Sequence, residues 1–234
     1  MSAYVRRIVL NLAMGLVLLG HPDAFAAEVT FSPLAGTRLG GSVESLLERR
    51  WDRVARQSLD ISCGSAALAT ILHYHFGDSV SEGELIRAIL KQVAERDVEK
   101  RGGFTLLDIK RAATELGYTV HGYKLGFKQL IALNTPTLVP VTIRGYKHFV
   151  VFRGMMGDRA VLADPSFGNL LVQDFLFQSI WKDIALVIER EGSGPVAGGL
   201  AVNQGDTPVA GTQEALRTFL DKGELGFEVD ANEF

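Results

Sequence analysis

The strongest periodic pattern in the chain is an apolar face with the spacing of an α-helix. It starts at Cys63 and predicts a helix that runs to about Phe76. The residues of this face recur every three or four positions: Cys63, Ala66, Ala67, Thr70, Ile71 and Tyr74. Ser62 or Asp60 could cap the start of the helix, and Gly77 could end it. The many small residues of its first turns allow other chain segments to approach closely.

Further helices are predicted on both sides of this one. Ser81 and Glu84 form a capping box, and Thr105 is a typical N-cap residue. The charged run over 95–101 between them is typical of a solvated loop. The predicted helices of the first half span about 42–52, 63–76, 82–96 and 106–116.

After Gly117 the period of the pattern changes from helical spacing to strict alternation, which indicates strands. The predicted strands are rich in β-branched residues and span 119–125, 138–143, 148–153, 159–163 and 184–189. Short helices are predicted over 127–133 and 174–181. Helices followed by antiparallel strands predict an α+β fold, with an N-terminal helical half packed on a C-terminal antiparallel sheet.

The first residues have the organisation of a secretory signal peptide. Two arginines precede a mostly apolar run over 8–20, which is short for a transmembrane helix. Ala24-Phe25-Ala26 matches a cleavage site, so residues 1–26 are predicted to be a signal peptide and the mature chain to begin at Ala27. We therefore expect export to the periplasm. A leader that stays uncleaved as a membrane anchor is the alternative.

Changes in composition divide the rest of the chain into three predicted segments. Residues 27–190 are predicted to form one domain. Residues 191–212 are rich in glycine and lack periodicity, so we expect a flexible linker there. Residues 213–234 are predicted to be an acidic tail with a short helix over 213–222. On this interpretation, truncation after Glu191 leaves folding nearly unchanged.

Charge and motifs exclude several classes of function. The net charge of −3 gives no reason to expect a nucleic-acid partner. The chain contains no glycine loop that would bind a nucleotide and no cysteine spacing that would bind a metal. The sequence therefore predicts no cofactor.

Cys63 is the only cysteine of the chain. A thiol in the first turn of a helix lies near unsatisfied N–H groups and the positive end of the helix dipole, which favours the thiolate. A single cysteine in an exported protein can form no internal disulfide, so it is a candidate reactive thiol. An inert cysteine buried as a small apolar residue is the alternative.

A thiolate nucleophile needs a base, and the base needs a group that orients it. Of the five histidines, His148 begins a strand, and the next strand ends at Asp164. An antiparallel hairpin brings these two residues together, so Asp164 can fix the imidazole tautomer. Gln57 and the backbone N–H of Cys63 are the candidate oxyanion donors. A strand-edge histidine, an aspartate that starts a turn and a polar loop glutamine are the alternatives.

Three segments of the chain resemble the bacteriocin-processing cysteine peptidases, papain-like domains that cut leader peptides after a double glycine. These segments are Gln57-x5-Cys63-Gly64 with Ala66-Ala67-Leu68-Ala69, Lys147-His148-Phe149-Val150-Val151, and Ala163-Asp164-Pro165-Ser166-Phe167-Gly168. The resemblance covers about Val54 to Glu189. It implies that Cys63 is the nucleophile, His148 the base, Asp164 the residue that orients it and Gln57 part of the oxyanion hole.

The resemblance also has a departure. Members linked to transporters usually have aspartate just before the cysteine, whereas this chain has Ser62. With its export signal, the chain is more similar to the stand-alone exported members, some of which accompany secretion systems, including those for functional amyloid. The resemblance thus implies a periplasmic endopeptidase whose partners are a polypeptide substrate and secretion-system proteins. A non-catalytic peptide-binding or chaperone module and another thiol acyl-transfer enzyme are the alternatives.

Overall fold

The computed structural model describes residues 28–31, 39–42, 45–143, 145–192, 194–203 and 206. The predicted signal peptide over 1–26 and the predicted tail over 213–234 lie outside the described residues. Among the described residues, no helix combines the length and the apolar character that crossing a membrane requires.

The chain divides into two compact units, residues 1–45 and residues 46–234. In the first unit, strand β1 (Glu28–Phe31) pairs antiparallel with strand β2 (Leu39–Ser42). The register places Glu28 opposite Ser42.

The second unit begins with helices. Their bounds are α1 (Leu46–Trp51), α2 (Cys63–Tyr74), α3 (Glu82–Leu90), α4 (Glu95–Lys100) and α5 (Leu106–Glu115). The central helix is α2, in which every residue from Cys63 to Leu72 is buried. A capping box starts α3 at Ser81, as the sequence predicts. Thr105 caps α5 as predicted, and with Asp108 it also forms a capping box.

The segment after α3 differs from the prediction. The helix expected over 82–96 ends at Leu90, and the charged run expected to be a loop forms α4. Val98 of this helix is fully buried. A single apolar side chain that inserts into the core therefore orders a segment whose other residues are almost all charged.

An antiparallel sheet follows the helices. Its strands are β3 (Thr119–Lys124), β4 (Thr137–Ile143), β5 (Tyr146–Met156), β6 (Arg159–Asp164), β7 (Gly168–Gln173) and β8 (Ile184–Glu189). They are arranged in the order β3-β8-β4-β5-β6-β7, and every neighbouring pair is antiparallel. Helix α6 (Phe127–Ala132) joins β3 to β4, and helix α7 (Asp174–Ile180) follows β7. The sequence did not predict strand β7.

Both faces of this sheet are covered. Val151 of β5 belongs to a core cluster with Leu68 and Ile71 of α2. Its neighbours Val150 and Phe152 belong to a second cluster, together with the buried rings of Phe177 and Trp181. Because successive residues of a strand point to opposite faces, the two clusters lie on the two sides of the sheet. The predicted α+β architecture, a helical half packed on an antiparallel sheet, is confirmed.

Helix α2 packs very closely against its neighbours at Gly64. A Cβ atom at this position would lie 2.5 Å from Cδ1 of Ile109 on α5 and 3.1 Å from the ring of Phe149 on β5. The absence of a side chain therefore allows α2 to reach both the helical half and the sheet.

Residues 194–203 and Asp206, here called the C-terminal strap, pack on the second unit. Leu200 is fully buried and belongs to the core cluster of α2. The backbone N–H of Val196 donates to the carbonyl of His75 at 2.9 Å. The flexible linker expected over 191–212 is therefore wrong for these residues. One apolar side chain and backbone contacts order the strap, and neither produces a periodic pattern that composition would reveal.

Two arginines hold the end of the strap. The carboxylate of Asp206 accepts from Arg53 at 2.9 Å and from Arg153 at 2.8 and 3.0 Å. The guanidinium of Arg153 also donates to the carbonyls of Leu200 and Ala201. Arg153 lies at a bulge in β5, where the register shifts between Phe152 and Gly154. A bulge redirects a side chain out of the regular alternation, which allows Arg153 to meet the strap.

Candidate active site

Cys63 is the first residue of α2 and is buried. Ser62 occupies the N-cap position, but its side chain makes no capping hydrogen bond. Its hydroxyl lies 2.8 Å from the carbonyl of Leu59 and 2.5 Å from Oε1 of Glu82. The cap expected from Ser62 is therefore absent. The first N–H groups of a helix have no partner within the helix, so they give the start of α2, beside the thiol, a positive potential.

Hydrogen bonds to Glu82 stabilise the turn that precedes Cys63. Besides the Ser62 hydroxyl, its carboxylate accepts from the backbone N–H of Ser58 at 3.0 Å and from the Ser58 hydroxyl at 2.6 Å. The first residue of α3 thus holds both ends of the turn over 58–62. Sequence analysis missed this residue because nothing in a local pattern links positions 58 and 82.

His148 and Asp164 meet where the β5–β6 hairpin predicts. The two strands pair Val151 with Ala163, so Asp164 and His148 lie near each other on one face. Nε2 of His148 lies 3.0 Å from Oδ1 of Asp164, and both residues are almost fully buried. The other ring nitrogen, Nδ1, is buried, and no donor or acceptor among the described residues meets it at full hydrogen-bond geometry. Nδ1 is therefore the nitrogen that remains for a thiol.

The loop after β6 fixes the carboxylate of Asp164. Oδ1 also accepts from the backbone N–H groups of Ser166 at 2.7 Å and Phe167 at 3.1 Å. Arg50 of α1 holds the same loop by donating to the carbonyl of Phe167 at 2.7 Å. At Gly168, where φ is +80°, a Cβ would lie 2.3 Å from the carbonyl oxygen of Arg50. Only glycine therefore allows the loop to close against α1.

The electrostatics of the site favour a protonated imidazole. Burial is the largest single effect and lowers the pKa of His148, whereas the charge and hydrogen bond of Asp164 raise it. A hydrogen bond and the charge of Cys63 add to this effect and raise the pKa of His148 to about 10. Cys63 is thus close enough to the imidazole to interact with it directly. This arrangement suits a thiolate–imidazolium pair.

Gln57 lies beside the Asp164 loop. Its Oε1 accepts from the hydroxyl of Ser166 at 2.8 Å, and its backbone N–H donates to the carbonyl of Pro165 at 3.0 Å. Its Nε2 donates to the carbonyl of Leu59 at 3.1 Å. The amide expected to serve an oxyanion therefore has a partner within the loop that leads to Cys63.

Tyr146 is a site residue that sequence analysis did not single out. Its ring centroid lies 6.1 Å from that of His148, and its hydroxyl donates to the carbonyl of Asp60 at 3.1 Å. The available signal was its position two residues before His148, because alternate residues of a strand share a face. In the described part of the chain, no cluster of three or more His, Cys, Asp or Glu side chains could hold a metal ion.

Comparison with protein families and curated relatives gives consistent matches. The profile of the peptidase C39 family matches residues 52–193. A relative from Pseudomonas fluorescens, named probable functional amyloid protease FapD, is 36% identical over 178 residues, 76% of this chain and 78% of the relative. A relative of the same name from Pseudomonas aeruginosa is 35% identical over 186 residues, 78% of this chain and 80% of the relative.

Solved structures with a similar fold include peptidase domains of transporters. The peptidase domain of Streptococcus ComA, a bifunctional ABC transporter involved in quorum sensing, aligns with a TM-score of 0.51 at 24% identity, over 59% of this chain and 98% of that domain. A double glycine motif protease from an AMS/PCAT transporter, solved in complex with the leader peptide, aligns with a TM-score of 0.50 at 25% identity. That alignment covers 58% of this chain and 90% of the protease.

Proposed function

The chain belongs to the peptidase C39 family and is a cysteine peptidase, and we propose that it cleaves a secreted or leader-bearing polypeptide with Cys63 as the nucleophile. In this proposal His148 is the base and Asp164 orients it. The observation that carries the proposal is the contact between Nε2 of His148 and Asp164, which leaves Nδ1 to exchange a proton with the thiol.

The proposed reaction has two stages. Sγ of Cys63 attacks the carbonyl carbon of the scissile peptide bond, and Nδ1 of His148 gives its proton to the leaving amine as the C–N bond breaks. A water molecule then gives a proton to Nδ1 and attacks the thioester. This second attack breaks the C–S bond, releases the new C-terminal acid, which then loses its proton, and returns Sγ as a thiolate beside the protonated Nδ1. Throughout, the Asp164 carboxylate keeps the imidazole in one tautomer and orientation.

The backbone N–H of Cys63 and the side-chain amide of Gln57 are the proposed oxyanion donors. For this role, Nε2 of Gln57 exchanges the carbonyl of Leu59 for the oxyanion, while the Ser166 hydroxyl continues to hold Oε1. A donor of this kind contributes about 10²- to 10³-fold to kcat in other acyl-transfer enzymes. Gln57→Glu keeps the acceptor for Ser166 and removes the donor, so it separates the two functions of this side chain.

We propose cleavage after Gly-Gly or Gly-Ala in a protein handled by a secretion or assembly system. The similar protease solved with a leader peptide is a double glycine motif enzyme, and the buried thiol favours a residue with little bulk. The two Pseudomonas relatives are named as functional amyloid proteases, which supports functional amyloid as the system. The signal-peptide pattern over 1–26 supports a location in the periplasm.

Mass spectrometry of the secreted and periplasmic proteins tests this function. Cells that produce the unchanged chain should contain polypeptides with new ends after Gly-Gly or Gly-Ala, and cells with Cys63→Ala should lack them. His148→Ala should also lose these ends, whereas His121→Ala, an exposed histidine on β3, should retain them. N-terminal sequencing of the protein itself in the periplasmic fraction should begin at Ala27.

The result also separates related chemistries. If the new polypeptide ends still appear in cells with Cys63→Ala, a different peptidase produces them. Thiol-dependent cleavage after bulky residues would refute the glycine preference and leave the peptidase mechanism intact. A product joined to an amine, in place of a free carboxylate, would identify acyl transfer as the reaction.

A further inference from the structure

The nucleophile of the proposed mechanism is covered in the free protein. Cys63 and His148 are only 6% and 4% exposed. Attack on a peptide carbonyl requires reacting atoms about 3–3.5 Å apart. A polypeptide can approach the sulfur that closely only if a covering group moves.

Tyr146 bridges the two sides of the site. It is the first residue of β5, the strand that carries His148, and its ring is tilted 30° from the imidazole at 6.1 Å. Its hydroxyl reaches the carbonyl of Asp60, three residues before Cys63, at 3.1 Å. The ring therefore spans from the strand of the base to the loop of the nucleophile. Its 41% exposure shows that its outer side faces solvent.

The electrostatic contacts of the phenol agree with this position. Burial, followed by the charges of Cys63, Asp60 and Asp164, raises the pKa of Tyr146. The phenol thus lies close enough to Cys63 to interact with it electrostatically, and its raised pKa keeps it protonated at neutral pH. It can donate to the Asp60 carbonyl without taking part in proton transfer.

The attachment of Tyr146 is also weak enough to release. Tyr146 directly follows Gly145, whose φ of +86° marks the turn between β4 and β5. One hydrogen bond to a loop carbonyl, which water can replace, holds its outer end. Loss of one such bond changes the equilibrium between two positions of a side chain by about 2- to 10-fold. The contacts that a bound polypeptide makes can supply the free energy that corresponds to this change.

We propose that Tyr146 is a gate that closes over Cys63 in the free enzyme and swings away from the Asp60 carbonyl when an extended polypeptide binds. The proposal rests on the proposed function, in which such a polypeptide is the substrate. When the gate opens, the Asp60 carbonyl loses its donor and can accept from a backbone N–H of the substrate. Opening therefore replaces the hydrogen bond from Tyr146 to the Asp60 carbonyl with a hydrogen bond from the substrate main chain to the same carbonyl.

Alkylation of Cys63 by reagents of different size tests the gate without any peptide substrate. Cys63 is the only cysteine, so thiol labelling of the full chain reports on this site alone. The rates of iodoacetamide and of the much larger fluorescein maleimide are each divided by the rate of the same reagent with a small free thiol. Tyr146→Ala should raise the ratio of the maleimide rate to the iodoacetamide rate at least tenfold. Tyr146→Phe keeps the ring and loses only the hydroxyl, so we expect a rise of about 2- to 10-fold.

Tyr123→Ala is the matched control. Tyr123 is also an exposed tyrosine, but it lies on β3, three strands away from β5. This variant should leave the ratio unchanged. The pH profile of the iodoacetamide rate should be the same in all four proteins, because the gate takes no part in the ion pair.

Two outcomes would overturn the proposal. An unchanged size ratio in both Tyr146 variants would show that Tyr146 does not restrict access. A shifted pH profile in Tyr146→Phe would show that the hydroxyl acts by positioning His148. Neither outcome depends on proteolysis, so the gate can fail while Cys63-dependent cleavage persists, and it can hold if no cleavage is found. If Tyr146→Ala does not fold, Tyr146→Phe alone decides the question.

Discussion

The proton on His148 links the stability of the folded chain to pH. The pKa of His148 is raised from 6.5 to about 10, because Asp164 and Cys63 outweigh the effect of burial. Protonation therefore stabilises the folded state, fully below about pH 6.5, and this contribution is lost as pH rises through about 10. We expect the difference in free energy of unfolding between the unchanged chain and His148→Gln to fall steadily between these pH values.

Urea denaturation of both proteins at several pH values measures this difference. His121→Gln is a suitable control, because His121 is exposed and on a distant strand. Its difference from the unchanged chain measures what substitution of an exposed histidine does by itself. A difference for His148→Gln that stays constant with pH would contradict the raised pKa.

The sequence predicted the positions of some site residues better than those of others. The β5–β6 hairpin was enough to predict that His148 and Asp164 meet, because local geometry brings them together. Cys63 was joined to them by the need of a thiolate for a base and by the resemblance to cysteine peptidases, since no local pattern links the start of α2 to the hairpin. The partners of Gln57 and the position of Tyr146 depend on side-chain rotamers and on a loop from another part of the chain. No pattern within one segment contains that information. The catalytic role of each residue stays a prediction.

Gly64 of helix α2 is the position at which close packing between α2, α5 and β5 can be tested. In Gly64→Ala, the new Cβ would meet the fully buried side chain of Ile109 at 2.5 Å and Phe149 at 3.1 Å. We expect destabilisation by about 1–3 kcal/mol, the usual range for overpacking a core. The displacement of β5 should also slow alkylation of Cys63.

The control for this substitution is Gly83→Ala in α3. There the nearest atom to a new Cβ is the end of the flexible Arg87 side chain at 3.5 Å. Because alanine favours a helix over glycine, Gly83→Ala should be neutral or stabilising by up to about 1 kcal/mol. Thermal unfolding of both variants measures the contrast, and equal stability of the two would refute the tight packing at Gly64.

Elements with a clear periodic face were predicted well, and elements without one were not. A capping box marked the start of α3, the N-cap residue Thr105 marked the start of α5, and alternation marked most strands. Helix α4 and strand β7 were missed because neither shows a regular apolar period. In such segments tertiary packing, here the buried Val98 and the pairing of β7 with β6, decides the conformation over local preference.

The C-terminal strap makes the second unit depend on residues beyond Glu191. Truncation after Glu191 removes Leu200 from the core and leaves Arg153, whose side chain is fully buried, without the Asp206 carboxylate. In Asp206→Ala, where the strap still contacts Arg153, the uncompensated buried charge costs about 3–5 kcal/mol. We therefore expect this truncation, and also Asp206→Ala, to lower the urea midpoint strongly.

A chain that ends at Ala210 is the control, because it retains every described contact of the strap. It should unfold at the same urea concentration as the full chain. If truncation after Glu191 leaves the midpoint unchanged, the strap contacts contribute no net stability. The expectation of a flexible linker failed for a general reason, since a low content of apolar residues does not reveal which few of them are buried.

The bond between Arg53 and Asp206 joins positions separated by 153 residues. Contacts of such large sequence separation form late in folding, because the loop between them must close first. Asp206 is also made after the last strand, β8, so its bonds to Arg53 and to Arg153 of β5 can complete the second unit only after all the strands of the sheet have been synthesised.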